Sequence, residues 1–363
     1  MDSQVGPDKF PNVKDILSSA TNLTDREKVI LKAVIQDYIH YAHPVSSQKL
    51  HEKYIPGCSP ATIRNTLASL EKRGFLEQPH TSAGRIPTDE GYRCYVDSLM
   101  KLPSIQSPWR TKIEKELFEA SIDITRIMDK AAQLLGELSR ELGVSVAPSF
   151  AHGILEKIEM VPLTSEKILV VLEIKSGLVR TVLLEMETEI KEHRVPLLNS
   201  ILNERLCGLR LAEIIDTIRA RFVDFSGDEI IRPLVARAPQ IFNFTQPGGA
   251  KLAGTLNLIA KPDFPDMEKL GQIVAAIESG TIIAHICENR RQKPGIVITI
   301  GSENEKDVFF DCSIVTKNYH IGDSAGLVAI FGPRRMNYRT TVTLVNTIAD
   351  TVTSIYNYQR RNG

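Results

Sequence analysis

At 363 residues the chain is long enough for two or three domains, and its 44 basic residues balance its 44 acidic ones, so nucleic-acid binding would depend on a local patch. The sequence has no secretory signal pattern, no apolar run long enough for a membrane span and, among five scattered cysteines, no C-x-x-C pair. These absences argue against a disulfide framework and a zinc site, and we expect a cytoplasmic chain that needs no metal or cofactor.

The first predicted elements are a loose arm and two helices. Residues 1–21 are polar and contain two prolines, which indicates an arm without a core of its own. Residues 24–27, Thr-Asp-Arg-Glu, form a capping-box pattern that predicts a helix ending before Pro44. Ser46 or Ser47 can cap a short second helix over "SQKLHEKY".

The third predicted helix begins at Ser59-Pro60, runs through "ATIRNTLASLEKRG" and ends at Gly74. Its apolar residues recur at helical spacing and predict a buried stripe made of Ile63, Leu67 and Leu70. The opposite face carries Ala61, Arg64, Asn65, Ala68 and Lys72. A strand at 75–78, a loop and a second strand or extended segment at 92–96 follow. This order of elements is typical of a winged helix-turn-helix, in which the loop is the wing.

In a helix-turn-helix, the recognition helix lies in the major groove with its N-terminal residues at the base edges. Arginine and asparagine match the edges of guanine and adenine, and hydroxyls at a helix start suit phosphate oxygens. Between residues 46 and 86, six basic residues exceed three acidic ones. We therefore predict a DNA-binding surface composed of Ser59, Ala61, Thr62, Arg64, Asn65 and Lys72 on the helix, and of His80, Ser82, Gly84 and Arg85 on the wing. A winged helix that docks proteins remains an alternative.

The rest of the sequence changes twice between strand patterns and helical patterns. A proline-containing linker leads to a long helix predicted over 110–143, which a glycine closes. Strand patterns occupy 144–186 and 295–332, and the block between them, 188–290, is mostly helical with one strand candidate. We therefore predict an α+β fold in which the flanking strands share one sheet and the helical block is an insertion.

The segment "SPATIRNTLASLEKRGFLEQPHTSAGRIPTDEGYRCYVD" resembles the hallmark segment of the HrcA family of heat-inducible transcription repressors, and its run over 78–87 is nearly diagnostic. Two further segments are similar to family motifs, "IGSEN" at 300–304 and "GLVAIFGPRRMNY" at 326–338. The resemblance covers about residues 22–358. The chain departs from the family pattern in its extra polar arm and in "MNY", where "MDY" is usual.

The resemblance implies a multidomain α+β architecture that agrees with these patterns. Its parts are a polar arm at 1–21, a winged helix-turn-helix at 22–102, a GAF-like domain at 103–187 and 291–363, and an inserted dimerisation domain at 188–290. It also implies a homodimer that binds an inverted-repeat operator called CIRCE, represses chaperonin and DnaK-type chaperone operons, and depends on the GroEL chaperonin. The apolar residues that start the insert fit either an internal core or a dimer seam: Leu197, Leu198, Ile201, Leu202 and Leu206.

A ligand-gated repressor of a metabolic operon is the main alternative, because many GAF-like domains bind small molecules. The segment "GDSAG" at 322–326 lacks the pattern of a phosphate-binding loop. The isolated histidines His193, His285 and His320 form no metal or catalytic motif, which argues against an enzyme. Arg334 and Arg335 can hold an anion, although pairing with acids at a strand-to-helix corner is the preferred interpretation.

Overall fold

The computed structural model describes residues 23–362 except for several gaps, so the arm predicted at 1–21 lies outside the described residues. The gaps are 81–82, 122–123, 149–152, 176–178, 187, 189, 243–249, 265, 279–293 and 323. Within the described residues, no helix combines the length and apolar character needed to cross a bilayer.

Three helices open the described chain, and their caps are those that the sequence predicts. The helices are α1 (Asp25–Tyr41), α2 (Ser47–Lys53) and α3 (Pro60–Lys72). Thr24 and Glu27 form the capping box of α1, while Ser46 and Ser59 cap α2 and α3. Apolar side chains from all three helices meet in one core that includes Ile30, Leu31, Val34, Leu50, Ile63, Leu67 and Leu70. Local sequence therefore determines the limits of these helices and the faces that they bury.

A small antiparallel sheet follows, made of β1 (Leu76–Glu77) and β2 (Ile86–Pro87). The prediction of a strand or extended segment at 92–96 is wrong, because α4 (Asp89–Cys94) occupies this region and continues as a π-helical turn to Leu99. The cause is local: the Thr88 hydroxyl accepts a hydrogen bond from the Gly91 N–H at 3.1 Å and caps α4. The acidic residues of the first turn add a favourable interaction with the helix dipole.

The rest of the described chain alternates between helices and strands. Its helices are α5 (Ser107–Glu119), α6 (Ile124–Ser139), α7 (Val195–Leu206), α8 (Leu211–Arg221), α9 (Ile231–Ala236), α10 (Ala238–Phe242), α11 (Thr255–Ile259), α12 (Met267–Glu278) and α13 (Tyr338–Asn362). Its strands are β3 (Leu142–Val146), β4 (Leu155–Thr164), β5 (Lys167–Ile174), β6 (Val179–Glu185), β7 (Ala250–Ala253), β8 (Ile296–Ile300), β9 (Cys312–Ile321) and β10 (Ser324–Pro333). Most agree with the sequence patterns, but the strand candidate "LAGTLNLIA" at 252–260 is mostly wrong, because only its first two residues lie in β7 and most of the rest forms α11.

The single long helix predicted over 110–143 is wrong, because α5 and α6 divide it. An unbroken helix of that length would extend about 50 Å, and the break lets α6 pack along the sheet. The glycine expected to close the helix, Gly143, lies in β3. A Cβ at this position would stand 2.3 Å from the carbonyl oxygen of Ala132 in α6. Gly143 therefore permits the close contact between strand and helix rather than ending the helix.

Five strands form one antiparallel sheet in the order β7-β3-β10-β9-β8. Alternate residues of β10 contribute to two cores, as the two-residue period of a strand requires. Val328 and Ile330 belong to the main core, which includes α6 and α13. Leu327, Ala329 and Phe331 belong to a second core with α11 and α12. The sheet is therefore covered on both faces.

The strands β4, β5 and β6 form a separate three-stranded antiparallel sheet. The expectation that the strands of 144–186 and 295–332 share one sheet is therefore wrong. The reason is that both edges of β3 are occupied, one by β10 and the other by β7, so β4 cannot pair there. The predicted GAF-like segment 103–187 is thus divided between two sheets, while β7 and α12 of the predicted insert pack with the larger one.

Candidate nucleic-acid interface

The start of α3 is fixed by its own side chains. The Ser59 hydroxyl oxygen accepts a hydrogen bond from the Thr62 N–H at 3.2 Å and lies 2.9 Å from the Thr62 hydroxyl oxygen. Pro60 occupies the first helical turn, where a missing N–H costs nothing. The remaining free N–H groups and both hydroxyls lie at an exposed helix start, which suits a phosphate oxygen.

The two faces of α3 are separated as the sequence predicts. Ile63, Leu67 and Leu70 are buried, and the outward face exposes Ala61, Arg64, Asn65, Ala68 and Lys72. Within the described part of the chain, no hydrogen bond or ion pair joins the side chains of Arg64 and Asn65 to other residues. Their donors and acceptor therefore remain available for base edges. The small Ala61 and Ala68 allow a close approach of a groove.

Most other basic residues of this region are held by acids or hydroxyls of the protein. Lys49 Nζ lies 2.6 Å from the buried carboxylate of Asp37, and Lys53 Nζ donates to the Tyr41 hydroxyl at 2.7 Å. Arg73 Nη1 donates to Glu27 Oε2 at 3.1 Å. The local excess of basic residues is thus mostly used within the fold. Arg64 and Lys72 carry the positive charge of the outward α3 face.

Glu27 fastens α1 to α3. Its carboxylate accepts hydrogen bonds from the Thr24 N–H at 2.9 Å and from the Ser69 hydroxyl at 3.0 Å, in addition to the pair with Arg73. Burial alone would raise the pKa of Glu27, but these hydrogen bonds and the nearby Arg73 charge lower it overall. The carboxylate is therefore charged at neutral pH and holds the two helices in a fixed relation.

The base of the wing is fastened to the N-terminal helices. The main chains of Arg85 and Val45 exchange two hydrogen bonds of 2.9 Å, so the wing gains a third short extended segment beside β2. A Cβ on Gly84 would stand 2.4 Å from the carbonyl carbon and oxygen of Val45. Gly84 therefore permits this close approach, which is a structural role that the sequence did not indicate.

Arg85, which the sequence places on the predicted DNA-binding surface, lies at the base of the wing beside β2. Its Nε donates to Glu71 Oε2 at 3.0 Å, and its side chain is only 18% exposed. This ion pair joins the wing to the C-terminal half of α3. Of the other predicted wing residues, His80 is exposed and Ser82 lies outside the described residues. The contacts of these residues with DNA remain predictions.

The residues of the predicted dimer seam differ in burial. Leu198, Leu202 and Leu206 are buried in the main core, Ile201 is half-buried, and Leu197 is 63% exposed. Three of the five residues therefore form an internal core, so their apolar density does not by itself indicate a dimer contact.

A second surface, on the sheet formed by β4, β5 and β6, is apolar and exposed. On the outer face of the three-stranded sheet, Val161 of β4, Leu169 of β5 and Leu183 of β6 lie opposite one another in register. Val161 and Leu183 are exposed, and Leu169 is half-buried. The outer edge of β4 is covered, because the side-chain amides of Asn199 and Asn203 pair with its main chain at 2.6–3.1 Å. The free face rather than this edge is available for another chain.

The remaining candidate sites show little binding chemistry. Arg334 and Arg335 pair with Asp89 and Asp263, as the preferred interpretation of the strand-to-helix corner predicts. No group of three potential metal ligands occurs among the described residues. A groove of about 850 Å³ between α5 and α6 is lined mainly by charged residues, two of which, Lys112 and Lys130, pair with Glu116. Such a lining differs from the mostly apolar lining of small-molecule sites.

Sequence comparisons with known proteins agree on one family. A family model described as the HrcA protein C-terminal domain matches residues 125–342. The heat-inducible transcription repressor HrcA of Prosthecochloris aestuarii is 35% identical over 347 residues, covering 92% of this chain and 98% of that protein. The protein of the same name from Desulfitobacterium hafniense is 31% identical over 350 residues, covering 94% of this chain and 99% of that protein. A solved structure of a hypothetical protein shares the fold, with a TM-score of 0.64 at 22% identity over 92% of this chain and all of the other.

Proposed function

This chain belongs to the HrcA family of heat-inducible transcription repressors, and we propose that it represses by placing two copies of α3 in the major grooves of an inverted-repeat operator. Its function is the negative regulation of heat-shock operons, and the family is one of repressors rather than enzymes. The N-terminal 22–102 segment acts as a winged helix, with α3 as the recognition helix and the β1–β2 loop as the wing.

One observation carries this proposal. The outward face of α3 exposes Arg64 and Asn65 side by side near the helix start, opposite the stripe that anchors the helix in the core. An arginine and an asparagine with unengaged side chains can each make a two-point contact with a base edge. Ser59, Thr62 and Lys72 flank them and contact phosphates, which fixes the register of the helix on the duplex.

An inverted repeat requires a two-fold protein, because operator symmetry mirrors protein symmetry. We assign the dimer contact to the outer face of the three-stranded sheet, with Val161, Leu169 and Leu183 at its centre. The partner on this face is a second copy of this chain, because a two-fold axis through the face places the apolar row of one copy against the same row of the other. The dimerisation insert then begins at β4 and ends at α10, while β7 and α12 belong with the GAF-like sheet.

The finer regulatory features come from the family resemblance. They are recognition of the CIRCE operator, control of chaperonin and DnaK-type chaperone operons, dependence on the GroEL chaperonin, and a cytoplasmic location. In this scheme, heat draws chaperonin to unfolded proteins, the repressor loses folding support, and the operator becomes free.

Fluorescence-anisotropy titration tests the function directly. The purified protein is titrated with a CIRCE-type inverted repeat and with a scrambled duplex of equal length and composition at physiological salt, with and without chaperonin. We expect at least a roughly thousandfold preference for the repeat, and a larger active fraction when chaperonin is present. Equal weak binding to both duplexes would contradict the proposal, and a small molecule that restored the preference would favour the ligand-gated alternative.

A further inference from the structure

The segment that follows the wing is bound to the five-stranded sheet through a carboxylate. Asp89, the first residue of α4, accepts hydrogen bonds from the N–H and the hydroxyl of Ser302 at 2.9 and 3.0 Å. Its other oxygen accepts from Arg334 Nη1 at 3.1 Å. Ser302 follows β8 and Arg334 follows β10, so one acidic side chain of the N-terminal unit contacts the ends of two strands.

A second ion pair lies one turn further along α4. Arg93 Nε donates to Glu303 Oε1 at 2.8 Å, and its Nη2 donates to the main-chain carbonyl of Ile298 at 2.7 Å. Glu303 also accepts from the Ile300 N–H at 2.9 Å, which fixes the carboxylate at the end of β8. We call this set of residues the α4 junction: Asp89, Arg93, Ser302, Glu303 and Arg334.

The α4 junction is shaped to hold one geometry. Gly301 has a φ of +53°, and a Cβ there would stand 2.2 Å from a carboxylate oxygen of Asp89. Tyr92 and Tyr338 are both fully buried beneath the junction, with ring centroids 5.9 Å apart. The Asp89 side chain is 16% exposed and that of its partner Arg334 is 42% exposed, so the carboxylate is the more enclosed member of the pair. These features indicate a rigid contact rather than a flexible tether.

Additional contacts oppose rotation about this point. Arg335 Nε donates to Asp263 at 2.7 Å, and its Nη1 donates to the carbonyl of Ile39 near the end of α1 at 3.2 Å. Arg339 Nε donates to the Lys101 carbonyl at 3.0 Å and so fastens the linker to α13. The direction of α3 relative to the five-stranded sheet is thus set at three separate places.

From this geometry we propose that the α4 junction determines the spacing of half-sites that the repressor accepts. The inference rests on the proposed operator-binding function. In a dimer whose N-terminal DNA-binding units cannot rotate relative to the five-stranded sheets, the two α3 helices face the DNA at one fixed separation. Successive major-groove faces recur every 10–10.5 bp, so half a turn of extra spacer moves a half-site to the opposite side of the duplex. The junction residues touch no DNA and act as positioning residues.

The test uses the full-length protein and a series of inverted repeats whose spacer grows in single base pairs through about one helical turn. For wild-type protein, the affinity for the best spacing is expected to exceed the affinity for a spacing about 5 bp longer by roughly 30-fold. Arg334→Ala and the shape-preserving Asp89→Asn are expected to reduce this ratio to below about 5-fold. Affinity for a single half-site duplex is expected to stay within about twofold of wild type. Lys115→Ala on α5 is the matched control and should keep the wild-type profile.

The spacing ratio is taken within each variant, so a change in overall affinity does not obscure it. Variant profiles that match wild type would overturn the proposal, and so would a flat wild-type profile. An equal loss of affinity for all spacings and for the half-site would also overturn it, because the junction would then only support folding. If wild-type protein did not distinguish the repeat from a scrambled duplex, the proposed function itself would fail.

Discussion

Arg85 and Glu71 form an ion pair that joins the base of the predicted wing to α3, with Nε and Oε2 3.0 Å apart. Arg85 follows the loop and Glu71 lies in the last turn of α3. The position of the wing relative to the helix therefore depends on this pair. The sequence instead places Arg85 on the predicted DNA-binding surface, where it would contact phosphate, and the two roles predict different results.

Arg85→Ala should weaken binding to specific and scrambled duplexes alike, by about 1 kcal/mol, because the wing loses a support. Glu71→Ala should produce a similar loss. The dependence of affinity on salt should keep its slope in both variants, as measured by anisotropy titrations at several salt concentrations. If Arg85 contacts phosphate instead, Arg85→Ala would lower the slope by about one, and Glu71→Ala would strengthen binding.

Gly84→Ala should displace the wing, because the added Cβ would meet the main chain of Val45 at 2.4 Å and neither segment can move cheaply. We expect a loss of roughly 1–3 kcal/mol in stability and weaker operator binding. Thermal unfolding and anisotropy measure the two effects. Gly57→Ala is the matched control, since its Cβ would meet nothing within 4 Å, and it should leave both quantities near wild type. Equal behaviour of the two variants would show that the Val45 contact does not constrain the wing.

Burial raises the pKa of Glu141 to about 7, although its partner Lys261, 2.7 Å away, opposes this shift. The folded state therefore binds a proton more tightly than the unfolded chain, whose carboxyl has an ordinary pKa near 4.5. The contribution of Glu141 to stability is present below about pH 4.5 and is lost as the pH rises through about 7.

Glu141→Gln imitates the protonated group, so it should gain stability relative to wild type as the pH rises, by at most about 3 kcal/mol. Thermal unfolding of both proteins at about pH 5 and about pH 8 measures the difference. A difference in stability between the two proteins that does not change with pH would show that burial does not raise the pKa of Glu141. If Glu141→Gln instead lost stability relative to wild type as the pH rises, the pair with Lys261 would favour the charged form of Glu141.

Leu183→Arg places a charge in the apolar row on the three-stranded sheet and should convert the proposed dimer to a monomer. Each charge would be enclosed in the apolar contact between the two copies without water to solvate it. Sedimentation velocity or light scattering measures the oligomeric state. Leu197→Arg, on the exposed side of α7, should leave the dimer intact. The opposite result, in which only Leu197→Arg dissociates the dimer, would return the seam to the helix first predicted from sequence.

Local features of this fold follow from short stretches of sequence. The caps at Thr24, Ser46 and Ser59 and the two faces of α3 are specified by residues within one or two turns, so they were predictable. The helix at 89–94 was also signalled, since Thr88 precedes two acidic residues. The aromatic residues that follow favoured a strand by propensity, and the cap outweighed them.

Features that depend on distant residues were not predictable. The partner of Arg85 lies fourteen positions earlier in the chain, and no local pattern selects Glu71 over solvent or DNA. The separation of β4 from the larger sheet depends on β7, which arrives about a hundred residues after β3 and occupies its edge. The importance of Gly84 appears only when Val45 is placed beside it.

The central claim is that α3 reads base edges through Arg64, and one measurement tests it most directly. Arg64→Ala and wild type are titrated against the inverted repeat and against variants of the repeat with single base-pair changes in each half-site. We expect the operator affinity of Arg64→Ala to fall by roughly 1–3 kcal/mol, with preference lost at one position in each half-site. Undiminished discrimination at every position would contradict the assignment of α3 as the recognition helix.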